Sequence, residues 1–93
     1  MTYFPAEPQN FRVSEFTDES ITWTWDSVEG ASFYRLYMGG ALTPEETTDS
    51  TFTSSNLLAD TVYSASVSAV SKYNVESKAS ETVNQKTAVI SAE

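Results

Sequence analysis

Apolar and polar residues alternate in short runs divided by turn-forming clusters at intervals of about 8–12 residues, the spacing of an all-β sandwich. No stretch sustains the 3.6-residue period of an amphipathic helix. Ser20–Trp25 is the cleanest run, with Ile21, Trp23 and Trp25 on one face and Thr22 and Thr24 on the other. Ser32–Met38 turns Tyr34, Leu36 and Met38 inward and Phe33, Arg35 and Tyr37 outward. From Val62 onward, Tyr63, Ala65, Val67 and Ala69 face in while Ser64, Ser66 and Ser68 face out. Thr51–Ser54 reads as a shorter strand. The first strand is expected over Gln9–Val13, with Phe11 and Val13 on one face and an irregularity before Phe16, and the last from about Ala79 to Thr87.

The breaks are equally legible. Thr17–Ser20 and Asp26–Ala31 are polar turns, Gly39-Gly40 stops the third strand, and Ser71–Ser77 is a hairpin loop. Ala41–Ser50 is polar and acidic and contains Pro44, as suits a short edge strand and a loop. Prolines hold Tyr3–Pro8 extended. This divides the chain into an N-terminal linker (1–7), one domain (8–88) and a C-terminal linker stub (89–93). Met1-Thr2 reads as a start placed on a domain drawn from a longer chain.

Several of these pieces fall in a recognisable order. They are Pro8 with Phe11 and Val13, Ile21-x-Trp23-x-Trp25-Asp26, and Val28-Glu29-Gly30-Ala31 leading into Tyr34-Arg35-Leu36. Leu57…Thr61-x-Tyr63 and Thr87 complete the set. Together they resemble a fibronectin type III domain of the bacterial type over almost the whole chain. The resemblance implies a seven-strand antiparallel β-sandwich, immunoglobulin-like, with the fibronectin type III topology. It also implies that the Tyr63 hydroxyl ties back to the backbone a few residues upstream. The expected core is Trp23, Trp25, Tyr34, Leu36, Leu57, Tyr63 and Val67. Two positions depart from the family pattern: Ala59 stands where a proline is usual, and Ser54 where an apolar residue is usual. The second implies a thinner core beneath that strand.

Composition narrows the function. The chain has 93 residues, 40% hydrophobic and 13% aromatic, enough for one packed core and too apolar for disorder. Its net charge is −8, and its only cations are Arg12, Arg35, Lys72, Lys78 and Lys86. Phosphate neutralisation needs clustered Lys and Arg, so nucleic acid is excluded as a partner and an anionic membrane surface is disfavoured. No apolar run approaches the roughly 18 residues of a membrane span. With no cysteine and no histidine, the chain lacks a disulfide, a thiol nucleophile, the usual general base and the commonest metal ligand. No cofactor is expected, and the isolated domain is expected to be a monomer.

What remains is modest. The carboxylates Asp18/Glu19, Asp26/Glu29 and Glu45/Glu46/Asp49 all fall in predicted turns, where acidic residues are ordinary. Calcium favours several oxygen ligands, but no EF-hand spacing occurs, and no metal site is assigned. The loop Lys72-Tyr73-Asn74-Val75-Glu76 carries no Arg-Gly-Asp. The aromatics out of phase with the core are Phe33, Tyr37 and Tyr73, with Tyr3 and Phe4 near the start. Phe33, Arg35, Tyr37 and Tyr73 are therefore the candidate contacts for a glycan or protein partner. They would equally cover a neighbouring strand or meet an adjacent domain. The expectation is a non-catalytic spacer or structural interaction module. Its parent would be a multidomain extracellular or cell-surface protein such as a polysaccharide-degrading enzyme. The alternative is a binding module that uses those aromatics.

Overall fold

The computed structural model describes residues 5–39 and 43–90. Seven strands are found there: β1 (Arg12–Phe16), β2 (Ile21–Thr24), β3 (Ala31–Met38), β4 (Glu45–Thr47), β5 (Thr51–Ser54), β6 (Val62–Ser71) and β7 (Val83–Lys86). They form two antiparallel sheets, ordered β1-β2-β5 and β4-β3-β6-β7. The expected all-β sandwich is what the chain adopts.

In β2, β3 and β6 the face that the alternation marks is buried, and β6 also buries Ser68 and Val70 on its other face. Ile21, Trp23, Trp25, Tyr34, Leu36, Ala65, Val67 and Ala69 form the core between the sheets, with Phe11. Phe11 stacks on Trp23 at 5.5 Å between ring centroids, and Trp25 meets Tyr34 edge-on at 5.4 Å, geometries aromatic pairs prefer. Leu57 and Tyr63 are half-buried and pack against this cluster. Met38, expected to face inward, is likewise only half-buried.

The tyrosine corner is present. The Tyr63 hydroxyl accepts the Leu58 N–H at 2.8 Å. Leu57 reaches across to the β1–β2 turn, its N–H donating to the Glu19 carbonyl at 2.9 Å. Thr87 locks the same corner to the end of β7: its hydroxyl donates to the Leu58 carbonyl at 2.6 Å and accepts the Thr61 N–H at 3.0 Å.

Five expectations need correction. The first strand begins at Arg12 rather than Gln9, because Asn10 sits at a φ of 61° and Gln9 gives its carbonyl to the Asp26 N–H. Its irregularity is a register shift between Val13 and Glu15, where it was anticipated. The last strand begins at Val83 rather than Ala79. Upstream of it, the Val67 and Ala69 N–H groups go to the hydroxyls of Ser80 and Ser77, so side chains stand in for the ladder. Glu45 and Glu46 lie in β4, the short edge strand expected within Ala41–Ser50, and not in the turn expected for these carboxylates. Ser68, expected outward and wet, is fully buried. Ser54 does not leave a thin spot. It is buried at 6% exposure, accepts the Trp23 indole N–H at 3.1 Å and donates to the Met38 sulfur. Gly40, Tyr3 and Phe4 lie outside the described residues.

The chain enters and leaves at opposite ends of the β1–β2 hairpin. At one end, Gln9 bonds to Asp26 and Pro5 and Pro8 are buried. At the other, Ala88 donates to the Thr17 carbonyl and accepts the Asp60 N–H, both at 3.1 Å.

Candidate functional site

The outer face of β3 carries Phe33, Arg35 and Tyr37, as the alternation requires. All three are half-buried rather than open. The physical reason is a strap of polar side chains laid across the sheet. Arg35 stands opposite Glu46 of β4 on one side and Ser68 of β6 on the other. Its Nε donates to Glu46 at 3.1 Å and its Nη1 to Glu76 at 3.0 Å. Glu76 belongs to the segment joining β6 to β7, where it forms an isolated bridge with Val70. Its carboxylate spans β6, accepting the Ser68 hydroxyl and, from β3, the Tyr37 hydroxyl. This is why Ser68 is buried: Glu76 and Arg35 roof it. The guanidinium also lies over the Phe33 ring at 5.4 Å, adding a cation–π contact.

The electrostatics follow from that geometry. Burial alone would raise the Glu76 pKa; the hydroxyls of Ser68 and Tyr37 and the Arg35 guanidinium outweigh it, so the carboxyl sits below its ordinary value. Burial, then the Glu76 carboxylate, pushes the Tyr37 hydroxyl up. The Glu46 and Glu76 carboxylates hold Arg35 charged.

Tyr73 is elsewhere. It caps the β6–β7 connection at 69% exposure, with the Lys72 ammonium 5.3 Å above its ring. It lines an open depression of about 400 Å³ with Gly30, Ala31, Ser32, Ser71 and Lys72. The loop is shaped by Asn74 at a φ of 63° and by the Ser71 hydroxyl, which accepts the Tyr73 and Val75 N–H groups. The four candidate contacts therefore divide into two places: a strapped face with Phe33, Arg35 and Tyr37, and an exposed tip with Tyr73.

Glu46, Ser68 and Glu76 complete the strap; Ser68 and Glu76 were not singled out from the sequence, and Glu46 only as a turn carboxylate. An opposite charge across from Arg35 on an edge strand was the one available signal, and it pointed only to Glu46. Asp26 lies 3.9 Å from Arg12, and Asp60 pairs with Lys86 at 2.9 Å. Among the described residues no three acidic side chains gather as a metal site.

Comparison with known proteins agrees with this architecture. A family profile described as the fibronectin type III domain matches residues 6–86. No curated protein matches the chain. Of solved structures, the one titled FN3tt superposes with a TM-score of 0.80 at 26% identity, over 95% of this chain and 98% of that one. A chitinase, ChiA74 from Bacillus thuringiensis, has a TM-score of 0.81 at 23% identity, over 90% of this chain and 13% of its own. A family 28 exopolygalacturonase from Yersinia enterocolitica has a TM-score of 0.81 at 17% identity, over 90% of this chain and 20% of its own. With these two enzymes the likeness is one of fold, and the part matched is a small fraction of each.

Proposed function

Since the chain belongs to the fibronectin type III family, we propose that it serves as a non-catalytic spacer module in a multidomain extracellular or cell-surface protein. The observation that carries this reading is how its ends are held. The chain is tied in at Gln9 and tied out at Ala88, at opposite ends of the β1–β2 hairpin, so the domain sets a separation and a direction between whatever adjoins it. The similar domains within a chitinase and an exopolygalacturonase support a parent of the polysaccharide-degrading kind. The strap supports a passive outer face, since Tyr37 donates its hydroxyl and Arg35 its Nε and Nη1 within the domain.

The test uses the absence of cysteine. Spin labels on Ala6→Cys and Val89→Cys are expected to give one narrow distance distribution. A broad distribution would show ends that are not tied, and the spacer reading would fall. In gels containing soluble polysaccharides the mobility of the domain is expected to be unchanged. Retardation lost in Tyr73→Ala would instead make it a binding module acting through the exposed tip, the alternative that the 69% exposure of Tyr73 favours.

A further inference from the structure

The strap joins elements that backbone pairing alone holds loosely. Between the end of β6 at Ser71 and the start of β7 at Val83, the backbone makes only scattered bonds to the sheet. These include Ser71 N–H to the Val75 carbonyl, Ser77 N–H to Ala69 and Ser80 N–H to Val67, at 2.7–2.9 Å, to which the Ser77 and Ser80 hydroxyls add bonds from the Ala69 and Val67 N–H groups. Onto the middle of this segment Glu76 brings one carboxylate that collects three donors from two strands. They are the Arg35 guanidinium and Tyr37 hydroxyl of β3 and the Ser68 hydroxyl of β6. The only other acidic group in the strap is Glu46 of β4, which engages Arg35 from the far side. No group of the core takes part.

We propose that Glu76 is a proton-operated clasp, which holds the 72–82 segment on the sheet while ionised and releases it on protonation with the sandwich still folded. The chemistry is direct. An ionised carboxylate is acceptor-only and satisfies all three donors at once. The protonated acid loses its charge attraction to Arg35, accepts more weakly from all three donors, and adds an O–H that the Ser68 or Tyr37 hydroxyl can take only by turning its own proton away. Ser68 is fully buried, so its hydroxyl loses either its charged acceptor or its donated bond.

The sign follows from the pKa. Glu76 is depressed in the folded state, so its contribution is complete above the unfolded value near 4.5 and is lost as pH falls through the folded value. On the alkaline side Tyr37 is raised, so its contribution is complete below the unfolded value near 10.0 and is lost only above the folded one. The clasp therefore opens in acid and stays shut through neutrality. Its opening frees the tip that carries Lys72 and Tyr73, a consequence independent of the spacer role.

The experiment is amide hydrogen exchange on the whole chain at about pH 6.5 and about pH 2.5, corrected for intrinsic rates; each pKa unit of depression corresponds to roughly tenfold more opening of the segment. The expected result is loss of protection at Val75, Ser77 and Ser80 on acidification, with the β3 amides still protected. Glu76→Gln is expected to show the open pattern already at the higher pH and to change little further. Tyr37→Phe leaves the carboxylate in place and removes one of its donors, so its opening is expected at a higher pH than in the parent. Equal protection of the segment at both pH values would overturn the proposal. So would simultaneous loss of protection in β3, which would make the acid transition global, or a Tyr37→Phe midpoint that does not move.

Discussion

At the residue scale the most instructive position is Ser54. A small polar residue in a strand that faces the core looks like a packing defect, yet it supplies the acceptor for the Trp23 indole at 3.1 Å. A buried donor without a partner costs about 1–3 kcal/mol, more than a hydroxyl saves by being removed. Ser54→Ala is therefore expected to destabilise the domain by about that amount in urea unfolding. The partner variant Trp23→Phe is expected to make the second change at Ser54 nearly neutral; additive losses would show that the bond contributes nothing. Trp25 makes the contrast. Its indole nitrogen is buried without a hydrogen-bond partner among the described residues, so the ring is held by packing, including its contacts with Phe11 and Tyr34. Both tryptophans lay on the predicted inward face, and hydrophobic period sufficed to place them. Which of the two had a polar partner was decided by a serine on another strand.

At the element scale the corner between β5 and β6 shows how local chemistry and the ladder divide the task. Ala59 and Asp60 form a turn in which Asp60 has a φ of 54°, while the Thr61 hydroxyl returns to the Ala59 carbonyl at 2.8 Å. A positive φ at the second central position marks the turn type that accepts proline at the first. Ala59→Pro, which restores the usual family residue, is therefore expected to stabilise the domain by about 0.4–1 kcal/mol through the unfolded chain. A lower melting temperature in that variant would mean that the Ala59 backbone does not fit the ring. The β6–β7 connection is the opposite case. On the sequence alone a strand is expected from about Ala79. The structure instead uses the Ser77 and Ser80 hydroxyls as acceptors for β6, which a pattern of polarity does not distinguish from an outward-facing serine.

On the scale of the whole molecule, a single core carries both sheets, and its total is small. Truncating a core tryptophan costs roughly 3–5 kcal/mol against a total stability of about 5–15 kcal/mol for a domain of this kind. Trp25→Ala is expected to leave the chain largely unfolded or melting far below the parent in a thermal scan; a loss under about 1 kcal/mol would place the ring outside the core. The inward faces of β2, β3 and β6 were legible beforehand, because alternation is local and repeats along the chain, while the seven-strand topology and the corner at Tyr63 came from the family resemblance. The outward position of Phe33, Arg35 and Tyr37 was legible for the same reason. That this face is closed was not, since closure depends on Glu46 and Glu76, eleven and forty-one positions from Arg35. Neither is set by any period; each reaches Arg35 only once β4 and the β6–β7 connection have been laid beside β3. Local periodicity thus specified which side chains leave the core, and long-range pairing alone specified which of them meet.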